Sequence, residues 1–266
     1  MMEDNFIYGC SYVGNGIFVG NIYYNGKNEF KYYLFDLNGE IVKSFPNHIF
    51  FNREKGASSV DGSLTPIRVD NQLYLKDFVN DTLYILEDFN LKPSYIFGMG
   101  KYSYPIENLE YRSKNPWSVK AFLFGAGLGI VGTPKFFFYK IDVPDLFSRP
   151  KAKTIYIFNE FRPNNSSVYG IYNIEQKKNI LLDTDEHLQK GIINDINGGL
   201  PIIPRYYAGD GVVIDVWNAE DMKGVLTEEY FVSQTIKDQQ AHQKLKEILK
   251  NLKEDDNPVV VVAKLK

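Results

Sequence analysis

The stretch that decides the fold is Tyr32-Tyr33-Leu34-Phe35-Asp36-Leu37-Asn38-Gly39-Glu40-Ile41-Val42. An aromatic run comes first, a turn of the form Asp-x-Asn-Gly follows, and apolar and polar residues then alternate. Asn-Gly is a turn sequence because both residues tolerate a positive φ, and alternation with a period of two is typical of a strand with one buried face. The stretch therefore predicts a β-hairpin with strands at Phe30–Phe35 and Glu40–Phe45.

The same pattern recurs at 82–97 and 167–182, and a further aromatic run that leads to an Asp lies at 136–142. These units are spaced by one or two periods of roughly 40 to 45 residues, which is typical of propeller blades. Each repeat starts with another strand pair, as at 64–76 and 202–216. The repeat predicts an all-β fold, a β-propeller with five to six four-stranded blades. Strand spacing alone leaves a β-sandwich or a β-barrel open.

The C-terminal part departs from this repeat. Residues 237–253 are rich in helix formers, and four apolar residues recur there at the spacing of one helix face: Leu245, Ile248, Leu249 and Leu252. A polar stop at Asp255–Pro258 precedes an apolar strand, Val259–Leu265. We expect a single propeller domain over 1–266 with a helical insertion at about 219–254. We also expect a closing C-terminal strand that pairs with a segment within residues 5–35 and completes the ring.

Composition supports a sheet and excludes several classes of site. The 266 residues include 19 Tyr, 19 Phe and 2 Trp, and aromatic side chains suit a pleated, half-buried surface. The net charge is −3 with acidic and basic residues interspersed, which argues against a nucleic-acid partner. The single cysteine, Cys10, excludes an intrachain disulfide and a zinc site made of several cysteines. We expect Cys10 to be a small buried residue.

The sequence carries no membrane or export signal that we recognise. No apolar run is long enough to be a transmembrane segment, and the acidic start of the chain has neither the basic nor the apolar region of a signal peptide. The residues by themselves therefore leave the localisation undetermined.

Three regions resemble a largely uncharacterised family of six-bladed β-propeller proteins, with NHL-like repeats, from Bacteroides-type bacteria. They are Lys76–Tyr84 with Pro93-Ser94-Tyr95 and Gly100-Lys101, then Asn194–Pro204, and then Asp255–Val259 with Lys264–Lys266. The resemblance covers 76–266 and implies a propeller in an exported, often lipid-anchored protein of the cell envelope. It implies no catalytic residues. Family members usually carry an export signal and more sequence at the N-terminus, so the ring can be short by a blade there or the chain can be a trimmed form.

Five polar residues are candidates for a ligand-facing cluster: Asn80, Asp81, Asp195, Asn197 and Arg205. Asn80-Asp81 fits a polar patch in a propeller channel, and it also fits a turn whose side chains bond to their own backbone. Asp195–Gly199 has the alternating oxygen ligands with which a calcium loop starts, but it lacks the rest of that spacing. An Asx turn is the interpretation that we favour there.

The other motifs favour structural roles. His48, His187 and His242 are isolated in the sequence, and we expect His242 on the helix surface. Gly125–Gly129 is followed by a strand rather than by the helix that a dinucleotide site requires. The carboxylate pairs at 228–229 and 255–256 fit solvated charge runs. We therefore expect no catalytic, cofactor-binding or metal-binding residues.

The function that this pattern favours is a binding or scaffold module for a glycan, a peptide or a partner protein, since ligands collect on the loops of such folds. The alternative is a glycan-active hydrolase or lyase with carboxylates that line the channel. Because no converging acid and base set is visible in the sequence, we favour binding over catalysis. The ligand, the blade count and the oligomeric state stay open.

Overall fold

The structure is a computed structural model that describes residues 7–22, 26–52, 64–77, 81–98, 129–143, 155–157, 160–162, 166–182 and 191–265. Within these ranges the chain forms 17 strands and three helices, so it is mostly β, as predicted. It divides into two compact units. Unit 1 contains residues 1–129 and 140–167, and unit 2 contains residues 130–139 and 168–266.

Unit 1 contains two four-stranded antiparallel sheets, each with its strands in sequence order. The first is built from β1 (Ile7–Gly14), β2 (Ile17–Ile22), β3 (Phe30–Phe35) and β4 (Ile41–Pro46). The second is built from β5 (Leu64–Val69), β6 (Gln72–Asp77), β7 (Thr82–Glu87) and β8 (Asn90–Ile96). The hairpin predicted from the aromatic stretch is confirmed as β3–β4, with Gly39 at a φ of 80° in its turn.

The two sheets of unit 1 share one apolar core. Val19, Tyr32, Leu34 and Phe45 come from the first sheet, and Leu73 and Leu75 come from the second. Side chains alternate along a strand, so Tyr32 and Leu34 leave β3 on the same face. That face is the one through which the first sheet packs against the second. A short pair of strands, β11 (Ile155–Ile157) and β12 (Glu160–Arg162), also belongs to this unit.

Unit 2 contains most of a third four-stranded sheet and a three-stranded sheet. The former has the order β14-β13-β10-β9, and the latter the order β15-β16-β17. The strands are β9 (Gly129–Gly132), β10 (Phe136–Val143), β13 (Ser166–Asn173), β14 (Lys178–Leu181), β15 (Tyr206–Gly209), β16 (Val212–Trp217) and β17 (Val259–Lys264). Three helices lie between β16 and β17: α1 (Ala219–Val225), α2 (Glu228–Val232) and α3 (Gln239–Asn251).

The helices bury their apolar faces in the core of unit 2. This core contains Leu200, Trp217, Met222, Leu226, Phe231 and Leu245. Leu249 and Leu252 pack against it, as the spacing predicted. Ile248, in contrast, is 46% exposed. At about 100° per residue Ile248 lies about 60° around the helix from Leu245, at the margin of the apolar stripe rather than inside it.

The C-terminal strand has a different partner from the one we predicted. β17 pairs antiparallel with β16 along its whole length, from Val212 opposite Lys264 to Trp217 opposite Val259. The strands within residues 5–35 form another sheet, so the predicted closing pair is wrong. Val259 and Val261 pack on the same core as the helices. The three helices therefore connect β16 to a strand that pairs directly with β16.

Two further expectations about burial are wrong. Cys10 is exposed, because it lies on β1, the edge strand of its sheet. His242 is buried rather than on the helix surface, with 6% of its area exposed. Its ring stands edge-on to Phe231 at 4.9 Å between centroids, and its Nδ1 donates to the carbonyl of Asn197 at 2.8 Å. His242 thus joins α3 to the loop before β15.

Candidate functional site

Five side chains form a polar group at one end of unit 1, which we call the lysine cluster: Lys31, Tyr32, Lys76, Asp81 and Tyr84. They lie where β3 and β7 begin and where β6 ends. The charge of Lys76 acts on Lys31, that of Asp81 acts on Lys76, and Tyr84 acts on Tyr32. The cluster therefore joins the first sheet of unit 1 to the second.

Strand register places these side chains. Tyr84 is opposite Leu75 in the β6–β7 pair, and directly opposed residues share a face, so Tyr84 faces the core to which Leu75 and Tyr32 belong. The β3–β4 register is irregular between Phe30 and Tyr32. The simple alternation is interrupted there, and Lys31 brings its Nζ to 5.1 Å from the centroid of the Tyr32 ring.

Burial sets the protonation of the two lysines. Lys76 is 6% exposed, and this burial lowers the pKa of Lys76 to about 8, although the Asp81 charge opposes the shift. Lys31 is half-buried, and burial, followed by the positive charge of Lys76, lowers the pKa of Lys31 to about 7. A buried ammonium loses hydration, and a neighbouring cation disfavours it further. At neutral pH Lys76 is therefore mainly charged, whereas Lys31 is present in both forms.

The hydroxyl of Tyr32 is the third polar group of the cluster. Tyr32 is 4% exposed, and within the described ranges its buried hydroxyl has no hydrogen-bond partner. Burial raises the pKa of Tyr32 well above its usual range, with a further contribution from Tyr84, so the hydroxyl keeps its proton. An unsatisfied buried hydroxyl costs about 1–3 kcal/mol. It is therefore a buried donor that has no acceptor among the described residues.

This arrangement suits an anion. Lys31 and Lys76 bring two amino groups from two sheets to one end of unit 1, and hydrogen bonds to ionised groups such as a carboxylate are the stronger ones.

Among the candidates from the sequence, Asp81 belongs to this cluster. It is half-buried, its carbonyl accepts a hydrogen bond from the Phe97 N–H at 2.8 Å, and its charge favours the ammonium form of Lys76. Asn80 lies outside the described residues.

Asp195 and Asn197 lie in unit 2, in the loop before β15. The Oδ1 of Asn197 accepts from the Gly199 N–H at 2.9 Å, which is an Asx turn. Asp195 forms an ion pair with Lys237. In the part of the chain that the structure describes, no group of three or more His, Cys, Asp or Glu side chains could hold a metal ion. A ligand-facing role for the two residues stays a prediction.

Arg205 donates from Nε to the Oδ1 of Asp215 at 3.1 Å, while 57% of its side chain stays exposed. Asp215 is 3% exposed and accepts three further bonds. The donors are Ile203 N at 2.8 Å, Val216 N at 2.8 Å and Trp217 Nε1 at 3.2 Å. The carboxylate thus fixes the segment before β15 onto β16 and gives Arg205 a structural partner. A ligand-facing role for Arg205 stays a prediction.

Sequence reasoning missed both lysines and Asp215. Charged residues inside apolar strands were the available signal, because Lys and Asp are seldom fully buried unless they are paired. Lys31 lies between Phe30 and Tyr32, Lys76 ends the run Leu73-Tyr74-Leu75, and Asp215 interrupts a run of Val and Ile.

Comparisons with known proteins place the chain in a family. Residues 1–264 match a family described as Domain of unknown function (DUF4934), and no curated protein matches. Among solved structures the chain is similar to a protein of Bacteroides fragilis NCTC 9343 whose provisional name is that of an exported protein. The TM-score is 0.61 at 13% identity.

This likeness shows the fold alone, and it agrees with the predicted resemblance to Bacteroides-type proteins. It covers 98% of this chain and 66% of the other, so the present chain spans just under two thirds of the length of that neighbour. None of the helices within the described ranges is both long and apolar enough to cross a membrane. Because the family match extends over nearly all of the sequence, the chain belongs to the DUF4934 family of domains of unknown function.

Proposed function

We propose that the chain is a β-propeller module of the cell envelope that binds an acidic glycan through the lysine cluster. The four-stranded antiparallel sheets, two of which pack through a common core in unit 1, support a propeller of five to six blades in one domain. The provisional name of the Bacteroides fragilis neighbour supports export. The family itself assigns no activity, so the ligand has to be argued from the site.

The observation that carries the proposal is the pair of lysines at one end of unit 1, where Lys76 is buried and its charge acts on Lys31, which lies over the ring of Tyr32. The two lysines come from the two sheets of unit 1, and we propose that they bind one anionic group between them. A sugar carboxylate can accept from more than one of these donors, which gives it an advantage over a neutral sugar. We therefore infer that the ligand carries a carboxylate.

Aromatic rings beside the lysine cluster indicate that the carboxylate belongs to a sugar. Lys76 is opposite Leu83, and Leu83 is opposite Tyr95, so Lys76 and Tyr95 leave the second sheet on the same face. The Tyr95 ring lies 6.3 Å from that of Tyr74. Tyrosine rings combine an apolar body with a polar tip, and sugars offer C–H groups to such rings and hydroxyls to such tips.

The alternative, a glycan hydrolase or lyase, requires two carboxylates that converge on the scissile bond. Three of the described carboxylates have basic partners instead. Asp81 acts on Lys76, Asp195 pairs with Lys237, and Asp215 pairs with Arg205. Each of these three carboxylates is engaged by a basic group and none is paired with a second carboxylate in these contacts, and this favours binding over hydrolysis.

The test is calorimetric titration of the full chain with uronic-acid oligosaccharides, with neutral oligosaccharides of the same length, and with an acidic peptide. We expect binding of the uronic acids alone, with an affinity that falls as salt rises. Lys76→Met should weaken it at least about tenfold, the loss of one charge-assisted contact. The matched control is Lys92→Met, which removes a surface lysine that pairs with Glu87 and should change nothing.

If only the acidic peptide binds, the proposal that a sugar carries the carboxylate is wrong. Failure of every acidic compound to bind, or equal affinity for Lys76→Met and the wild type, would contradict the site itself.

A further inference from the structure

We propose that two copies of this chain associate through the free edge of β17, with their β17 strands paired antiparallel. In the described part of the chain three sheets have four strands, whereas the sheet β15-β16-β17 has three and ends at β17. The β17 strand of a second copy would supply its fourth strand. The interface lies within unit 2, and it does not depend on the proposed function.

The backbone groups of β17 point in two directions. The Leu265 N–H donates to the Gly211 carbonyl at 2.8 Å, and the register continues from there along β17 without a shift. In an antiparallel pair, residues that bond to the neighbouring strand alternate with residues that do not. The odd-numbered residues of β17 therefore bond to β16. The even-numbered residues direct their N–H and carbonyl groups to the free edge: Val260, Val262 and Lys264.

β17 differs from the other edge strands of the described sheets. Proteins protect a sheet edge with proline, charged residues, bulges or short strands. β4, β5 and β8 each contain a proline, β1 has shifts in its register, and β9, β11, β12, β14 and β15 have four residues or fewer. β17 has six residues in regular register, and those at 259–263 are all apolar. Its edge is therefore suited to pairing.

The side chains of the even-numbered residues gain a contact when two β17 strands pair. Val260 is 61% exposed and Val262 is 66% exposed. With the two strands centred on each other, Val260 of one copy lies opposite Val262 of the second copy, and the two-fold axis makes this contact twice. Cross-strand pairs of apolar β-branched residues stabilise a sheet. The contacts of Val259 and Val261 with the core of unit 2 stay as they are.

The charges at the two ends of β17 favour a second copy over an unrelated strand. The exposed turn before β17, Lys253–Asp256, contains three acidic residues and one basic residue, and the strand ends at the exposed Lys264. An antiparallel pair brings the acidic turn of one copy towards Lys264 of the other. In the centred pairing Lys264 lies diagonally across from Asp256, which is within reach of a long side chain. The strand is therefore complementary to itself in charge as well as in shape.

Two measurements on the wild-type full chain test the association. Analytical ultracentrifugation over a concentration series should show the mass rising from 30.6 kDa towards twice that value. Amide hydrogen exchange followed by NMR locates the interface. The N–H groups of Val260 and Val262 should exchange at least about tenfold more slowly in concentrated than in dilute samples. Those of Val261 and Ala263, which bond to β16, should be equally protected in both.

Three variants test the geometry. Val262→Pro should weaken the dimer at least about tenfold, because it removes an N–H that faces the free edge and leaves the bonds to β16 in place. Val262→Thr is the matched control, since it keeps the N–H and the β-branched shape, and it should dimerise as the wild type does. Lys264→Glu places a negative charge beside the acidic turn, so it should also weaken the dimer, and more at low salt than at high salt.

A mass of 30.6 kDa at all concentrations up to about 1 mM would overturn the proposal, because a dimer with a Kd of about 1 mM would be half formed there. Dimers without added protection of Val260 and Val262 would show that another surface associates, and assemblies larger than a dimer would contradict the two-fold pairing. If Val262→Pro fails to fold, the exchange data on the wild type and the mass of Lys264→Glu still decide. None of these measurements contains a glycan, so the acidic-glycan proposal stands or falls separately.

Discussion

The ring of Tyr139 lies directly against Gly170, so that a Cβ atom at residue 170 would stand 2.1 Å from Tyr139 Cζ. Tyr139 belongs to β10 and Gly170 to β13, which is the neighbouring strand. Beyond Gly170 the Tyr139 hydroxyl donates to the Oδ1 of Asn179 on β14 at 2.7 Å. The Tyr139 side chain thus reaches from β10 across β13 to β14, and it crosses β13 at Gly170, which has no side chain.

Gly170→Ala should destabilise unit 2 by about 2–4 kcal/mol, because the methyl group displaces the Tyr139 ring and breaks its bond to Asn179. Urea unfolding followed by circular dichroism measures the change. Gly224→Ala is the matched control, since Gly224 lies in α1 with no atom within 4 Å of the added methyl. The control should be neutral or stabilise by up to about 1 kcal/mol through helix propensity. Equal effects of the two substitutions would show that the Tyr139 contact does not matter.

Asp215→Ala should cost about 3–5 kcal/mol, because it leaves the Trp217 indole and two backbone N–H groups without their acceptor. Thermal unfolding and Trp fluorescence report the loss. Asp195→Ala removes a surface ion pair with Lys237 and should cost less than about 1 kcal/mol. A small loss for Asp215→Ala would mean that other groups can satisfy these donors.

Leu245→Ala should destabilise unit 2 by about 2–5 kcal/mol, since Leu245 is 4% exposed in the core below α3. Ile248→Ala, three residues later on the same helix, removes a side chain that is 46% exposed. It should cost less than about 1 kcal/mol. The difference between the two midpoints in urea tests the orientation of α3, and a reversed order would show that the helix faces another way.

Stability should rise with pH between about pH 7 and pH 10. Burial lowers the pKa of Lys31 to about 7 and that of Lys76 to about 8, against 10.5 for an ordinary lysine. In this window the unfolded chain binds more protons than the folded chain, so the free energy of unfolding increases with pH. Urea titrations at about pH 7, 8 and 9 measure the slope. The double variant Lys31→Met and Lys76→Met should flatten it, and an unchanged slope would contradict the burial of both charges.

Local features of this fold could be read from the sequence. The hairpins at 30–45 and 64–77 have strands within about a residue of the predicted ones, because alternation and turn chemistry act between near neighbours. The turn between β7 and β8 shows the limit. Asp88 and Phe89 both have a positive φ there, 47° and 59°, and a phenylalanine gives no sign of this conformation.

Features that depend on distant contacts could not be read in this way. The apolar pattern of β17 predicted a strand, but its partner is fixed by the helices that pack beside it. His242 is buried by Phe231 and by the loop carbonyl of Asn197, neither of which lies near it in sequence. The lysine cluster likewise joins β3 to β6, so its two lysines meet only when the two sheets of unit 1 have packed.

The pairing of β16 with β17 across three helices has a consequence for folding kinetics. The β15–β16 hairpin closes a short turn, which is a process of microseconds. The pairing of β17 with β16 instead requires the two ends of a long helical segment to meet, and non-local pairings of this kind slow folding. Compact helices shorten that search because they bring Val259 back beside Trp217. Substitutions in the core of α3, such as Leu245→Ala, should therefore lower the refolding rate of unit 2 and not only raise its unfolding rate.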